Sequence, residues 1–394
     1  METEHTVIEI ENLWRLIDEQ VTPAEASELS LSDALGGVTA QEVLSPVDSP
    51  AFDHSSMDGY AFAEIAPAVP CRVVREIPAG CADPGCLQPR EAARIFTGAT
   101  LPAGTACVAR QEDCLVDGSQ VRLRDGLHLV LNENIRRCGD VFRRGSVLIP
   151  QGTEITPGVV ALLAACGVNR AKAHARPVVV HISTGSELIE GGHTMTAGKI
   201  YDSNGPMMEA LLSCRGLSLR RDRMSDSFDE LARVAGEFDG DLLLLSGGSG
   251  PGDHDHTRAA LELAGFTIHA SRINSRPGKP LIFAARGRQV AFGLPGNPLS
   301  HWVCFQAFVS RALSLLEGKT APMLIEAHCA RQPDCSGDAR RTWTPAHRRF
   351  QGGQVFVDPL EWKHSGDLSP LISADALLLD APDPETKLIK TLLL

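Results

Sequence analysis

A chain of 394 residues is longer than most proteins with a single core, so its length predicts several domains. Hydrophobic residues make up 43% and charged residues 22%, which is typical of globular rather than disordered proteins. The formal net charge of −12 argues against general binding to nucleic acids or anionic membranes. No apolar run reaches the roughly 18 residues of a spanning helix, and the acidic N-terminus lacks a signal peptide, so we expect a cytoplasmic protein.

The cysteines favour neither a zinc site nor disulfide bonds. There are eleven, an odd number, and they are scattered along the chain without a C-x-x-C pair. We therefore expect reduced thiols that are mostly buried.

The first part of the chain is predicted to combine helices with a small β domain. Apolar residues at helical spacing predict helical structure over residues 8–45, with a second amphipathic segment at residues 22–44. A turn-rich stretch then leads into short β-like runs between residues 63 and 133, the last of them at residues 127–131. Residues 139–168 return to a strand and a helix, which begins near Pro157 with Thr156 as its N-cap.

From residue 175 onward, apolar strands alternate with helical segments. This alternation predicts a largely parallel sheet, covered on both faces, over residues 175–318. The remaining residues, 319–394, carry short strands and turn signals and are predicted to form a small β domain.

Three glycine-bearing loops leave the predicted strand ends: STGSEL (183–188), SGGSGPGDHD (246–255) and LPGNPLS (294–300). Ligands of open α/β sheets bind at this edge, and each loop precedes a helix whose N-terminus favours anions. We interpret the loops as a site for a phosphate-bearing ligand; the alternative is that glycine and proline only shape the turns. Neither G-x-G-x-x-G nor the P-loop motif stands at a strand–helix junction, which disfavours a standard dinucleotide or Walker site.

Charged residues suggest what these loops act on. Arg276 and Lys279 lie beside a predicted strand and are suited to gripping an oxyanion. Acids near a phosphate site usually hold Mg²⁺ or orient water, although each acid alone also fits an ordinary role in a turn. The candidate acids are Asp58, Asp140, Glu187, Asp253 and Asp255. His254 and His256 would bind a metal only if another ligand approached them.

Eight segments resemble, in the same order, the molybdopterin molybdenumtransferases, the family of MoeA and the gephyrin E domain. They are SSMDGYAF, IFTGATLPAGTACVARQED, GDVFRRGSVLIPQGTEI, STGSEL, GKIYDSNGPMM, SGGSGPGDHD, RPGKP and GLPGNPLS. The resemblance implies an α/β plus β multidomain fold with a central, mostly parallel molybdopterin-binding domain. The implied domains are a discontinuous mixed α/β domain (1–50 and 139–174), an inserted β domain (51–138), the α/β domain (175–318) and a C-terminal β domain (319–394).

The resemblance also implies an activity: insertion of molybdate into adenylylated molybdopterin with release of AMP, in association with Mg²⁺. It implies an elongated homodimer whose active site lies between the α/β domain of one subunit and the β domain of the other. A molybdopterin adenylyltransferase and recipient molybdoenzymes are possible partners, and neither nucleic acid nor a membrane is expected. Two alternatives are an adenylyltransferase, disfavoured by the roughly 175 residues before the α/β domain, and a non-catalytic gephyrin-like scaffold.

Matching the motifs position by position carries roles onto this chain. The implied catalytic residues are Asp58, Thr97, Asp140 and Glu187. Implied contacts to molybdopterin or AMP are Ser183, Thr184, Gly185, Asp202, Gly247, Gly248, Pro295, Gly296 and Asn297. Implied molybdate contacts are Arg276, Lys279, Ser300, Arg341 and Ser365, and implied metal ligands are Asp253, Asp255 and Glu187. Gly250 and Pro251 depart from the family's usual loop, and Arg276 replaces a lysine, which leaves the details of nucleotide contact open.

Overall fold

The structure, a computed structural model, describes two compact units. The smaller unit is Glu28–Lys172, and the larger one combines Met1–Ser27 with Ala173–Leu394. The described residues are 7–65, 69–225, 227–247, 253–333, 335 and 339–394, without the side chains of residues 253–255. None of the helices in these ranges is long and apolar enough to cross a membrane.

The smaller unit contains the predicted β domain as a six-stranded sheet. Its strands are, in spatial order, Cys107–Arg110, Gly59–Phe62, Glu91–Ile95, Cys71–Ile77, Gln120–Leu123 and Cys114–Asp117. The pair Cys71–Ile77 and Glu91–Ile95 is parallel, and the other pairs are antiparallel. Apolar side chains are buried on both faces of the sheet. Residues 127–131, predicted as a strand, do not form one; Leu127, Val130 and Leu131 are exposed there.

Short elements complete the smaller unit. Val43–Leu44 pairs with Val147–Ile149, and His54–Ser55 pairs with Ile135–Arg136. The helix Pro157–Ala165 begins as predicted, because the Thr156 side chain accepts a hydrogen bond from the amide of Val159 at 3.3 Å. A 3₁₀ turn spans Gln111–Asp113.

The prediction of a helical segment at residues 22–44 is wrong over most of its length. Ala26–Ser30 is a strand, and only Leu31–Ala34 is helical. The Ser30 side chain accepts a hydrogen bond from the Asp33 amide and so starts that single turn. Gly36, with φ of +77°, then ends it, because a left-handed backbone is incompatible with continuing the helix.

The larger unit is built on a six-stranded sheet, called here the central sheet. Its order is Leu219–Met224, Val179–Thr184, Leu242–Ser246, Gln289–Leu294, Ile282–Arg286 and Thr267–Ala270. The first four strands are parallel; Ile282–Arg286 pairs antiparallel with the fourth, and Thr267–Ala270 pairs antiparallel with Ile282–Arg286. The prediction of a largely parallel sheet is therefore confirmed.

Helices cover both faces of the central sheet, which explains its near-continuous apolar strands. Leu242 and Leu244 point to one face and Leu243 and Leu245 to the other, and all four are buried. The first face is covered by Ile10–Gln20, Asn204–Cys214, Pro298–Cys304, the π-helical turn Phe305–Val309 and Ser310–Leu316. The second is covered by Phe228–Gly236 and Asp253–Leu263.

The N-terminal helix Ile10–Gln20 packs in the core of the larger unit through Ile10, Leu13 and Ile17. The predicted domain boundaries instead group residues 1–50 with residues 139–174. Helical periodicity identifies the buried face of a helix but not the partner that covers it.

A closed β barrel follows the α/β region. Its strands run in the ring Arg341–Gln351, Gln354–Pro359, Ile325–His328, Leu388–Leu393 and Ala376–Leu379, and the last pairs back with the first. A short strand, Ser275–Arg276, lies parallel to Arg341–Thr342 and joins the barrel to the segment that leaves the central sheet. A 3₁₀ turn, Ser369–Ile372, also lies in this region.

Candidate active site

The three predicted loops lie side by side at the carboxyl edge of the central sheet. Ser183 is paired with Ser246, and Ser246 with Leu294, across adjacent parallel strands. Gly247 has φ of +122°, and a Cβ at this position would lie 2.2 Å from the carbonyl oxygen of Thr184. This position therefore requires glycine, and the second loop leaves its strand in close contact with the first.

The remainder of the second loop lies outside the described residues. This applies to Gly248, Gly250 and Pro251, and to the side chains of Asp253, His254 and Asp255. Their roles stay predictions. The ring of His256 packs edge-on against Phe228, with the centroids 6.2 Å apart.

Asp202 and the helix after it connect the first and third loops. The Asp202 carboxylate accepts hydrogen bonds from the amide of Gly205 at 2.9 Å and from the hydroxyl of Ser183 at 3.4 Å. The next residue but one, Asn204, donates to the carbonyl of Gly296 at 2.8 Å. We had expected the first loop to lead directly into a helix. It does not, because the paired strands Leu188–Ile189 and Ile200–Tyr201 lie between the loop and the helix Asn204–Cys214.

A buried chain of hydrogen bonds beneath the loops was missed at the level of sequence. Nε2 of His181 bonds to Oγ of Ser246, which lies 3.4 Å from Nε2 of His301. Nδ1 of His301 donates to the carbonyl of Pro295 at 3.0 Å. Because a carbonyl only accepts, neutral His301 carries its proton on Nδ1, so Ser246 donates to His301 and accepts from His181.

Both histidines are neutral at neutral pH. Burial lowers the pKa of His181 to about 3, and the nearby His301 and Arg221 act in the same direction. Burial likewise lowers the pKa of His301 to about 4, against the opposing effects of the Pro295 carbonyl and Asp202. The sequence feature that could have revealed this chain of hydrogen bonds is His181, which follows an apolar run within its predicted strand.

A pocket of about 300 Å³ opens beside the third loop; we call it the anion pocket. It brings together four of the five predicted molybdate residues: Arg276, Lys279, Ser300 and Ser365. Pro295 and Asn297 of the third loop also line it, as do three basic residues that were not predicted, namely Arg340, Lys363 and His364. Lys363 and His364 immediately precede Ser365, and this adjacency could have identified them.

Backbone contacts hold the walls of the anion pocket together. The carbonyl of Ser365 accepts hydrogen bonds from the amides of Leu299 at 2.9 Å and Ser300 at 3.4 Å. Gly278 has φ of +102°, and a Cβ there would lie 2.7 Å from Sγ of Cys304. The segment that carries Arg276 and Lys279 thus packs against the same helix that presents Ser300.

Arg341, the fifth predicted molybdate residue, does not line the anion pocket. Its guanidinium donates to Glu11 at 3.0 Å and to Asp380. Arg341 is the first residue of its strand, and the preceding residue, Arg340, lines the pocket instead. We therefore move the predicted contact from Arg341 to Arg340.

The smaller unit brings two of the predicted catalytic residues into contact. Thr97 donates to Oδ1 of Asp58 from its amide at 2.7 Å and from its hydroxyl at 2.8 Å. These bonds lower the pKa of Asp58, because they favour the carboxylate. A Cβ on Gly59 would lie 1.8 Å from the Ala109 carbonyl oxygen, so glycine must follow this aspartate. Asp140 closes a turn by accepting from the Arg137 amide at 2.8 Å.

Comparison with known proteins identifies the family. Residues 8–167 match the MoeA N-terminal region (domain I and II), and residues 181–315 match a probable molybdopterin binding domain. The molybdopterin molybdenumtransferase of Haemophilus influenzae is 32% identical over 77% of this chain and 76% of its own length. The chain belongs to the molybdopterin molybdenumtransferase family.

Other members support the same assignment over nearly the whole chain. The molybdopterin molybdenumtransferase of Bacillus subtilis is 29% identical over 95% of this chain and 90% of its own. The MoeA crystal structure from Pyrococcus horikoshii has a TM-score of 0.81 and 26% identity, and covers 98% of this chain and 99% of that one. The predicted family, the fold class and the assignment to a transferase of molybdenum cofactor biosynthesis are confirmed.

The Mg²⁺ site implied by the resemblance to molybdopterin molybdenumtransferases does not emerge from the described residues. Among them, no three His, Cys, Asp or Glu side chains gather as a metal site. Glu187 is exposed in the first loop, and its carboxylate lies 2.8 Å from where a Cβ on Gly185 would stand. The other two predicted ligands, Asp253 and Asp255, have side chains outside the described part of the chain, so the Mg²⁺ site stays a prediction and no step of the reaction is assigned to the metal.

Proposed function

We propose that the protein is a molybdopterin molybdenumtransferase, which inserts molybdate into adenylylated molybdopterin and releases AMP. The observation that carries this proposal is the anion pocket. In a chain of net charge −12, it gathers the basic side chains of Arg276, Lys279, Arg340, Lys363 and His364 next to the hydroxyls of Ser300 and Ser365. Such a local reversal of charge suits a small dianion.

The lining residues offer molybdate complementary donors. The guanidinium groups of Arg276 and Arg340 can each bond two oxygens of a tetrahedral oxyanion, whereas Lys279 acts as a compact point charge. The hydroxyls of Ser300 and Ser365 add neutral donors that fix its orientation. Among the described residues that line the anion pocket, none carries a carboxylate that would repel a dianion held in this way.

The glycine loops suit the phosphate and the nucleotide of the organic substrate. We assign this contact to Ser183, Thr184, Gly185, Asp202, Gly247, Gly248, Pro295, Gly296 and Asn297. Pro295 and Asn297 also line the anion pocket, so the third loop borders both sites. A substrate phosphate on the loops would therefore lie next to bound molybdate.

The acids are assigned to cleavage of the phosphoanhydride. Asp58, kept ionised by Thr97, is suited to orient water or accept a proton, and Asp140 and Glu187 are proposed to assist. We further propose a homodimer, as in the resemblance, in which Asp58 serves the site of the other subunit. Mg²⁺ bound by Asp253, Asp255 and Glu187 would neutralise phosphate charge.

The test is AMP release by the purified chain. Adenylylated molybdopterin should yield AMP only when molybdate is added, and Lys279→Ala should raise the molybdate concentration needed. ATP-dependent adenylylation of molybdopterin would instead identify an adenylyltransferase. Unchanged AMP release by Asp58→Asn and Glu187→Gln would exclude the assigned acids, and sedimentation velocity would test the homodimer.

A further inference from the structure

A second cavity, of about 430 Å³, adjoins the anion pocket; we call it the side cavity. Arg276, Trp362 and Lys363 line both spaces. The guanidinium of Arg276 lies over the indole ring of Trp362, with Cζ 5.3 Å from the ring centroid. This cation–π contact fixes the indole as part of the wall that the two cavities share.

The lining of the side cavity differs from that of the anion pocket. Apolar surface comes from Trp362, Leu360 and neighbouring prolines, and polar groups come from Gln332 and Thr344. The carboxylates of Glu361 and Asp367 also line it, and hydrogen bonds from Ser369 and from the backbone lower the pKa of Asp367 to about 2. The basic side chains of Arg276, Arg331 and Lys363 line it too, and Arg331 pairs with Glu361 at 2.8 Å. Because charges of both signs line the side cavity, it lacks the one-sided positive charge of the anion pocket, and flat apolar surface with amide and hydroxyl groups favours a polar ring.

Thr344 supplies independent evidence that the side cavity receives a ligand. Its side chain is 3% exposed, and its hydroxyl has no hydrogen-bond partner among the described residues. A buried hydroxyl without a partner is destabilising, so a ligand that bonds to it would be favoured. Thr344 lies in the strand Arg341–Gln351, and Arg340, which immediately precedes that strand, lines the anion pocket. One stretch of chain therefore contributes to both cavities.

We propose that the side cavity binds a planar bicyclic heterocycle of the organic substrate, next to the molybdate in the anion pocket. This inference rests on the proposed function. Insertion of a metal requires the organic ligand to reach the oxyanion, so a ring attached to the metal-binding atoms must lie close by. The pterin ring meets this condition; the adenine ring has the same flat shape and the same kinds of donor and acceptor.

The deciding variant is Thr344→Val, which keeps the shape and removes the hydroxyl. Because that hydroxyl has no partner among the described residues, the variant should fold with an unchanged or higher Tm. We expect pterin-6-carboxylate, measured by its fluorescence, to bind about fivefold to tenfold more weakly, the scale of one hydrogen bond. Molybdate should bind as before, and Thr344→Ser should restore binding of the pterin.

A second binding experiment uses AMP as the probe and distinguishes the adenine ring from the pterin ring as the occupant of the side cavity. Weaker AMP binding with unchanged pterin binding would assign the side cavity to adenine; the opposite result assigns it to the pterin. The control is Thr391→Val, which removes a buried hydroxyl bonded to the Ile389 carbonyl elsewhere in the barrel and should leave both probes unaffected.

Two results would overturn the inference. One is unchanged binding of both probes by Thr344→Val, and the other is an equal loss of molybdate binding, which would make Thr344 a general support of the walls. Because binding is measured without turnover, the proposed function is judged separately. Absent AMP release together with Thr344-dependent binding would reject the reaction but keep the ring site.

Discussion

Thr97 donates two hydrogen bonds to a single carboxylate oxygen of Asp58, one from its amide at 2.7 Å and one from its hydroxyl at 2.8 Å. Both bonds favour the ionised carboxylate, and Arg94 nearby adds a smaller effect in the same direction, so the pKa of Asp58 is lowered. The aspartate of the M-D-G-Y-A motif thus remains charged at neutral pH.

We predict that Thr97→Val moves the acid limb of the AMP-release profile to higher pH. The variant keeps the amide bond and loses the hydroxyl, so the pKa of Asp58 rises toward its ordinary value and protonation begins at higher pH. At neutral pH the carboxylate is still ionised, and we expect the rate to stay within about tenfold of wild type. Thr97→Ser should retain the original profile, and superimposable profiles for all three proteins would refute the role of the hydroxyl.

Two adjacent arginines give a sharp test of the anion pocket. Arg340→Ala should raise the apparent Kd for molybdate about tenfold, as expected for the loss of one charge-assisted contact. Arg341→Ala should leave that Kd unchanged and reduce stability by at most about 1 kcal/mol, because its partners are the partly exposed Glu11 and Asp380. Calorimetric titration with molybdate measures both. If only Arg341→Ala weakened molybdate binding, the molybdate contact would be Arg341, as first predicted, and not Arg340.

The arginine pair shows where inference from sequence stops. Strand alternation decides which of two neighbouring side chains faces a pocket, but a shift of one residue reverses the answer. Short-range patterns located the parallel strands, the three loops and the Thr156 cap correctly, because burial and turn chemistry act on neighbouring residues. The prediction of a helix over residues 22–44 was wrong, because amphipathic spacing alone does not exclude a strand.

The same limit applies to contacts between distant residues. His181, Ser246 and His301 meet because two strands and a helix converge, and no local pattern links them. Trp362 was not singled out either, because its role depends on Arg276 from another segment. The family resemblance supplied six of the residues that line the anion pocket, namely Arg276, Lys279, Pro295, Asn297, Ser300 and Ser365. Lys363 and His364 could have been inferred from their adjacency to Ser365, whereas Arg340 required the structure.

Gly247→Ala should damage the second loop. A Cβ would meet the Thr184 carbonyl at 2.2 Å, and φ of +122° is strained for any residue but glycine. We expect a loss of roughly 1–3 kcal/mol from backbone strain, and weaker AMP binding. Gly191→Ala is the matched control, because its φ is not positive and a Cβ there meets nothing within 4 Å. Equal stability and AMP affinity for the two variants would contradict the requirement for glycine.

The buried histidines should make the protein lose stability in mild acid. The pKa of His181, about 3, and that of His301, about 4, lie below the ordinary 6.5, because burial disfavours the charged imidazole. The unfolded chain therefore binds protons first as the pH falls below 6.5. Stability that is present above that pH is lost progressively down to about pH 4, at roughly 1.4 kcal/mol per pH unit for each histidine.

Urea unfolding between pH 7 and pH 4.5, followed by tryptophan fluorescence, measures this loss. In His181→Leu one titrating group is gone, so the dependence of the unfolding free energy on pH should weaken by about one proton. His193→Asn is the control: its side chain is exposed in the folded chain, so the replacement should leave the slope as in wild type. Because acidic residues contribute equally in all three proteins, the slope difference isolates His181. Parallel slopes for wild type and His181→Leu would show that this histidine is already charged in the fold.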